Sequence, residues 1–166
     1  MGGTPLAWAA NNGHVEVVKI LLGRDDIDPS KPDNHGQTPL WQAARNGHEG
    51  VVKLLLERDD VNPNKSSQTY ETPLYCAASN GHEGVVRLLL ERDVNPNKPD
   101  VYGRTPLLGA AYNGHEGVVR VLVRWDDTDP PQGDENDPEP LWWAAYRGHT
   151  EVEKILLEHW QPRQAK

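Results

Sequence analysis

The chain has 166 residues, 25% of them charged and 36% apolar, with no Phe, a formal charge of −8 and a mean hydropathy of −0.74. No run approaches the roughly 18 consecutive apolar residues of a membrane span, and Met1-Gly2-Gly3-Thr4-Pro5 carries neither the basic nor the apolar region of a secretory signal. The single Cys76 excludes an intramolecular disulfide and a thiolate-rich zinc site, while the acidic balance disfavours nucleic acid and makes a basic protein partner the electrostatically easier one.

Taken in chain order, the same short phrase returns. Thr4-Pro5-Leu6, Thr38-Pro39-Leu40, Thr72-Pro73-Leu74, Thr105-Pro106-Leu107 and Glu139-Pro140-Leu141 lie 34, 34, 33 and 34 residues apart. Each is followed by Ala-Ala, then Gly-His, then an aliphatic run such as Val51-Val52-Lys53-Leu54-Leu55-Leu56. A period of 34 also suits a tetratricopeptide repeat, but the Trp-x2-Leu-Gly phrase of that unit is missing.

The local chemistry predicts a helix pair per unit. Thr38 is an N-cap and Pro39 stands at the first helical position, where its missing N–H costs nothing. The first helix then runs to about Asn46, and Gly47 ends it in the left-handed region. His48 opens a second helix to about Arg58, apolar on one broad stripe. Its charged face carries Glu49/Lys53, Glu83/Arg87 and Glu116/Arg120 as i,i+4 pairs. A polar turn follows, as in Asp59-Asp60-Val61-Asn62-Pro63-Asn64, which cannot continue a helix. One pair cannot bury its own stripe, so stacked pairs form a single folding unit. The repeats are approximately 4–37, 38–71, 72–104, 105–138 and 139–166.

With Thr-Pro-Leu-x-x-Ala-Ala and Gly-His recurring on this schedule, the chain resembles the ankyrin repeat family over essentially its whole length. The turns Arg58-Asp59-Asp60-Val61-Asn62-Pro63-Asn64-Lys65 and Arg92-Asp93-Val94-Asn95-Pro96-Asn97-Lys98 make the resemblance closest to fungal-type arrays. What it implies is an all-α solenoid of five antiparallel helix pairs with projecting β-turns, working as a non-enzymatic protein-binding scaffold. The sequence departs from the family pattern after Thr-Pro-Leu, where Ala7, Trp41, Tyr75, Leu108 and Trp142 replace the usual His. At the turn tip Gly36 and Gly103 fit, but Tyr70 and Asp137 stand in the other two turns, which are expected to be irregular. The first second-helix (Val15, Val17, Val18, Ile20) is patterned like an internal one. The array is therefore expected to be excised from a longer one and to self-associate through open ends.

A helical wheel at about 100° per residue turns the residue two after Leu farthest from the stack. Trp8, Gln42, Cys76, Gly109 and Trp143 are thus expected to be exposed, on the face that the resemblance makes the inner wall of a concave groove. Trp41 and Trp142, one position earlier, are expected to be buried between repeats. The protein-binding candidates are Arg45, Tyr112, Asn113, Trp143, Tyr146 and Arg147 on this wall, with His35, Tyr102 and Arg104 at the turn tips. They are the Tyr, Trp and Arg types that dominate binding hot spots. The Gly-His histidines recur about one helix-pair spacing apart, roughly 10 Å, too far to share a metal, and are read as structural. No catalytic site, metal or cofactor is expected. Cys76 has no His on its face to act as a base. Segment 126–139 holds seven acids and no cation, and lacks the spacing of a calcium loop. The rival reading is a structural spacer, or a consensus-like engineered array, since Gly47–Asp59 and Gly81–Asp93 differ only at Lys53/Arg87.

Overall fold

A computed structural model describes residues 3–125 and 140–160. Among them are ten helices and no strand, in five antiparallel pairs: α1 (Pro5–Asn11) with α2 (Val15–Leu22), α3 (Pro39–Arg45) with α4 (Glu49–Leu56), α5 (Pro73–Ser79) with α6 (Glu83–Leu90), α7 (Pro106–Asn113) with α8 (Glu116–Trp125), and α9 (Pro140–Arg147) with α10 (Thr150–Trp160). The expected solenoid forms, since each odd helix touches the next odd helix and each even helix the next even one. No helix among the described residues is long and apolar enough to cross a membrane.

The N-termini follow the reading of Thr-Pro. The Thr4, Thr38, Thr72 and Thr105 hydroxyls accept from the backbone N–H three residues on, at 3.0–3.2 Å. One continuous core runs through the stack, from Leu6 and Val18 to Val152 and Leu156. On the first repeat Val15, Val17 and Ile20 are exposed.

The structure differs at the charged face of the even helices. Of the three i,i+4 pairs only Glu83–Arg87 closes, at 2.6 Å. Arg120 reaches instead to Glu151 of the next repeat at 2.9 Å. The Glu49 and Glu83 carboxylates lean over Gly84 and Gly117, each about where a Cβ would stand, because a neighbouring repeat offers contact that an isolated helix cannot.

Successive turns are joined by backbone bonds from Gln68 N–H to the His35 carbonyl (2.9 Å) and from Val101 N–H to the Thr69 carbonyl (3.1 Å). The turn containing Tyr70 is not irregular. Ser67 N–H donates to the Glu71 carbonyl and Tyr70 N–H to the Ser67 carbonyl, both at 3.0 Å, matching the Asp33 and Asp100 turns. Tyr70 achieves this by adopting φ 60°, the left-handed conformation taken by Gly36 and Gly103. Tyr70→Gly is therefore expected to stabilise the fold by about 0.5 kcal/mol, the released backbone strain outweighing glycine's extra unfolded-state entropy. Chemical denaturation checks the sign. The turn at Asp137 and the acidic segment from Asp126 lie outside the described residues.

Candidate functional site

The odd helices and the turn tips surround a hollow of about 640 Å³. Trp41, Tyr75, Cys76, Leu108, Gly109, Tyr112 and Trp143 line it from the helices, with Glu71, Tyr102 and Arg104 at the turn side. The helices place these residues because each Thr-Pro start fixes the same rotation in every repeat, so equivalent positions fall in rows.

The wheel overstates exposure within this hollow. Trp8 is exposed as expected, but Gln42, Cys76 and Gly109 are buried and Trp143 is half-buried. Gln42 Nε2 donates to Asp33 Oδ2 of the turn just before its helix at 3.2 Å. Cys76 clusters with Trp41 and Tyr75. At Gly109 a Cβ would stand 2.1 Å from the Ser79 Oγ, so any side chain there would require the Ser79 hydroxyl to turn aside. The hollow is walled by neighbouring repeats, and a wheel treats each helix as if alone.

Trp41 and Trp142 separate, although they occupy one slot. Trp41 is 2% exposed, its indole N–H donating to the Glu71 carbonyl of the next turn at 3.1 Å. Trp142, expected to be buried, is 49% exposed because neither a turn nor a following odd helix covers it among the described residues; it stacks on Tyr146 at 5.0 Å with a 7° interplanar angle. Trp143 lies edge-on to Tyr112 at 5.0 Å and to Tyr146 at 5.9 Å. The result is a contiguous aromatic cluster at one end of the hollow.

The candidate arginines are held by rings. Arg45 lies over Trp41 (5.4 Å), Arg104 over Tyr102 (4.8 Å) and Tyr75 (5.6 Å), and Arg147 over Tyr112 (4.5 Å). Arg104 is also paired with the buried Asp100, which holds its guanidinium firmly protonated. Burial pushes the Tyr75 hydroxyl up from its ordinary range. Asn113 spends its amide on the Ser79 and Gly109 carbonyls at 3.1 and 3.0 Å, a bracing role. His35 sits exposed at a tip, its carbonyl accepting from Gln68, and does not line the hollow. Tyr146 and Arg147 join it through their neighbours Trp143 and Tyr112.

Cys76 faces the hollow but is only 4% exposed, against the expectation of an exposed thiol there. Burial pushes its thiol well above the ordinary range, so the thiolate is suppressed and a nucleophilic role is disfavoured.

What periodicity could not show is the partner of each histidine. The Nε2–H of His48, His82, His115 and His149 donates to the carbonyls of Asn11, Arg45, Ser79 and Tyr112, at 2.9–3.0 Å, each near the end of the preceding repeat's first helix. Each ring rests on the preceding repeat's turn glycine, whose Cβ would stand 2.5–2.7 Å from Nδ1 at Gly13, Gly47, Gly81 and Gly114. None of α2, α4 and α6 is capped by its own histidine side chain. The role is structural, as expected, but it links repeats.

The family model for ankyrin repeats in three copies matches residues 1–67 and 59–134. The chain belongs to the ankyrin repeat family. Ankyrin repeats are generally protein–protein interaction modules and typically lack enzymatic activity. No curated protein gives a significant match to the chain.

Proposed function

We propose that this ankyrin array is a non-enzymatic scaffold that holds a segment of a protein partner in its groove. The observation that carries the reading is the hollow between the odd helices and the turn tips, lined by Trp41, Tyr75, Arg104, Tyr112 and Trp143 and continued by the exposed Trp142 and Tyr146. Aromatic rings and ring-stacked arginines supply contact area with little side-chain freedom left to lose. The lone thiol supports an intracellular setting. The likeness to fungal-type arrays rests on the turn sequences from Arg58 and Arg92 alone.

The test is affinity capture of partners from source lysate, comparing the natural chain with the Tyr112→Ala, Trp143→Ala, Tyr146→Ala variant. Loss of the captured protein by at least a hundredfold in affinity is expected, with helical circular dichroism retained. Undiminished capture by the variant would remove the assignment. Empty capture by both would favour the spacer reading, which the near-identity of Gly47–Asp59 and Gly81–Asp93 supports.

A further inference from the structure

We infer that the segment held in this groove is an extended, acidic stretch of protein, gripped at its two ends by Arg45 and Arg147. The inference rests on the groove reading and specifies the partner's chemistry. On the even helices and in the inter-repeat loops, Arg24, Arg58, Arg87 and Arg120 are neutralised by Asp26, Asp60, Glu83 and Glu151 at 2.6–2.9 Å. Arg45 and Arg147 have no carboxylate within reach among the described residues. Each instead lies on a ring, Arg45 on Trp41 and Arg147 on Tyr112, whose hydroxyl also accepts from Arg147 Nη1 at 3.3 Å. Arg92 and Arg124 also lack a carboxylate there, but no ring holds them.

A guanidinium held over an aromatic face is ordered in advance and keeps N–H groups free for a carboxylate. Within the groove, Asp100 is buried and spent on Arg104, leaving Glu71 as the one carboxylate of the lining that is not in an ion pair. Among the described residues, Arg45 in the lining and Arg147 beside it, set against Glu71, leave a local excess of one cation, opposite in sign to the whole chain at −8. That whole-chain charge favours a basic partner at long range; the groove, where contact is made, asks for the reverse. The same overall charge disfavours a polyphosphate.

The spacing defines the ligand further. Arg45 ends α3 and Arg147 ends α9. Three repeat steps of roughly 10 Å separate them by about 30 Å. An extended chain rising about 3.3 Å per residue covers that span with about nine residues. Between the two ends the floor is Tyr75, Cys76, Leu108 and Gly109, which suits small or apolar side chains rather than charge.

Bead-displayed synthetic peptide pools test this, probed with the fluorescently labelled full chain. The pools carry Glu, Gln or Lys at two places about nine residues apart, with the remaining positions randomised among uncharged residues; beads bearing oligothymidylate serve as the phosphate arm. The Glu pool is expected to retain the chain best. Arg45→Gln and Arg147→Gln, both at exposed positions, should each weaken that retention about tenfold, and added salt should weaken it in the natural chain. Glu-pool retention unchanged in both Arg variants overturns the inference, as does retention by no pool. Stronger retention on Lys or Gln beads, lost in Tyr112→Ala with Trp143→Ala, overturns the acidic partner and leaves the groove reading standing. Oligothymidylate retained as well as the Glu pool, and released by the Arg variants, would replace protein by nucleic acid.

Discussion

Gly81→Ala is expected to destabilise the array by about 3 kcal/mol, although it adds one methyl group at a half-exposed turn. Gly81 has φ +78°, a conformation that costs an L-residue about 1–2 kcal/mol. The new Cβ would also stand 2.7 Å from Nδ1 and 2.9 Å from Cε1 of His115. The ring would have to leave, and with it the 3.0 Å bond from Nε2 to the Ser79 carbonyl. A lost hydrogen bond of this kind costs about 1–2 kcal/mol when the acceptor is left partly buried. Gly148→Ala separates the two costs, because Gly148 shares the backbone conformation at φ +76° but has nothing within 4 Å of its Cβ. It should lose only about 1 kcal/mol, the backbone part. Equal losses in urea denaturation would refute the interlock. In addition, Gly81→Ala and His115→Ala should be markedly less than additive together, since either one removes the same inter-repeat contact.

That interlock also marks where sequence reasoning stops. Thr-Pro and the turn glycine act within a few residues, through an N-cap, a fixed φ and a left-handed turn, so the helix pairs could be read directly. The histidine acts across the stack: His82 bonds to the carbonyl of Arg45, 37 residues upstream. Periodicity shows that both residues recur but not that they meet, and the start of the following helix was the nearer assignment. The same limit explains Gln42, Cys76 and Gly109. Cys76 and Gly109 do face the hollow, but the burial of all three depends on Asp33, Trp41 and Ser79, which come from a turn or another repeat. Trp41 and Trp142 are equivalent by position, but Trp41 is covered by the turn at Glu71 and by Tyr75 and Cys76 of the next repeat. Aromatic and Arg identity did point to the rows that line the hollow. The excess of free cation there was hidden by a whole-chain sum in which segment 126–139 alone contributes seven acids.

Asp100→Ala should be the most damaging change at the turn tips, costing about 3 kcal/mol and weakening partner binding together with stability. One Asp100 oxygen accepts from the backbone N–H groups of Tyr102 and Arg104, both at 2.9 Å, and the other accepts from Arg104 Nε at 2.8 Å and from Nη2. The carboxylate is 0% exposed, whereas the Arg104 side chain is 44% exposed. Water screens one side of the pair, so its loss should fall toward the lower end of the range for buried ion pairs. Asp100→Ala strands two N–H groups and frees Arg104 from its place over Tyr75 and Tyr102. The second repeat supplies an internal comparison, because Ser67 occupies the same slot and accepts from Thr69 N–H at 3.3 Å without any arginine. Asp100→Ser should therefore restore part of the turn, at a cost of about 1–2 kcal/mol, while still releasing Arg104. Urea denaturation should rank the variants Ala below Ser below the natural residue. Groove binding should fall in both, since both lose the anchor that holds Arg104 over its rings. A serine variant that recovered binding as fully as stability would show that the turn, and not the oriented arginine, is what the partner reads.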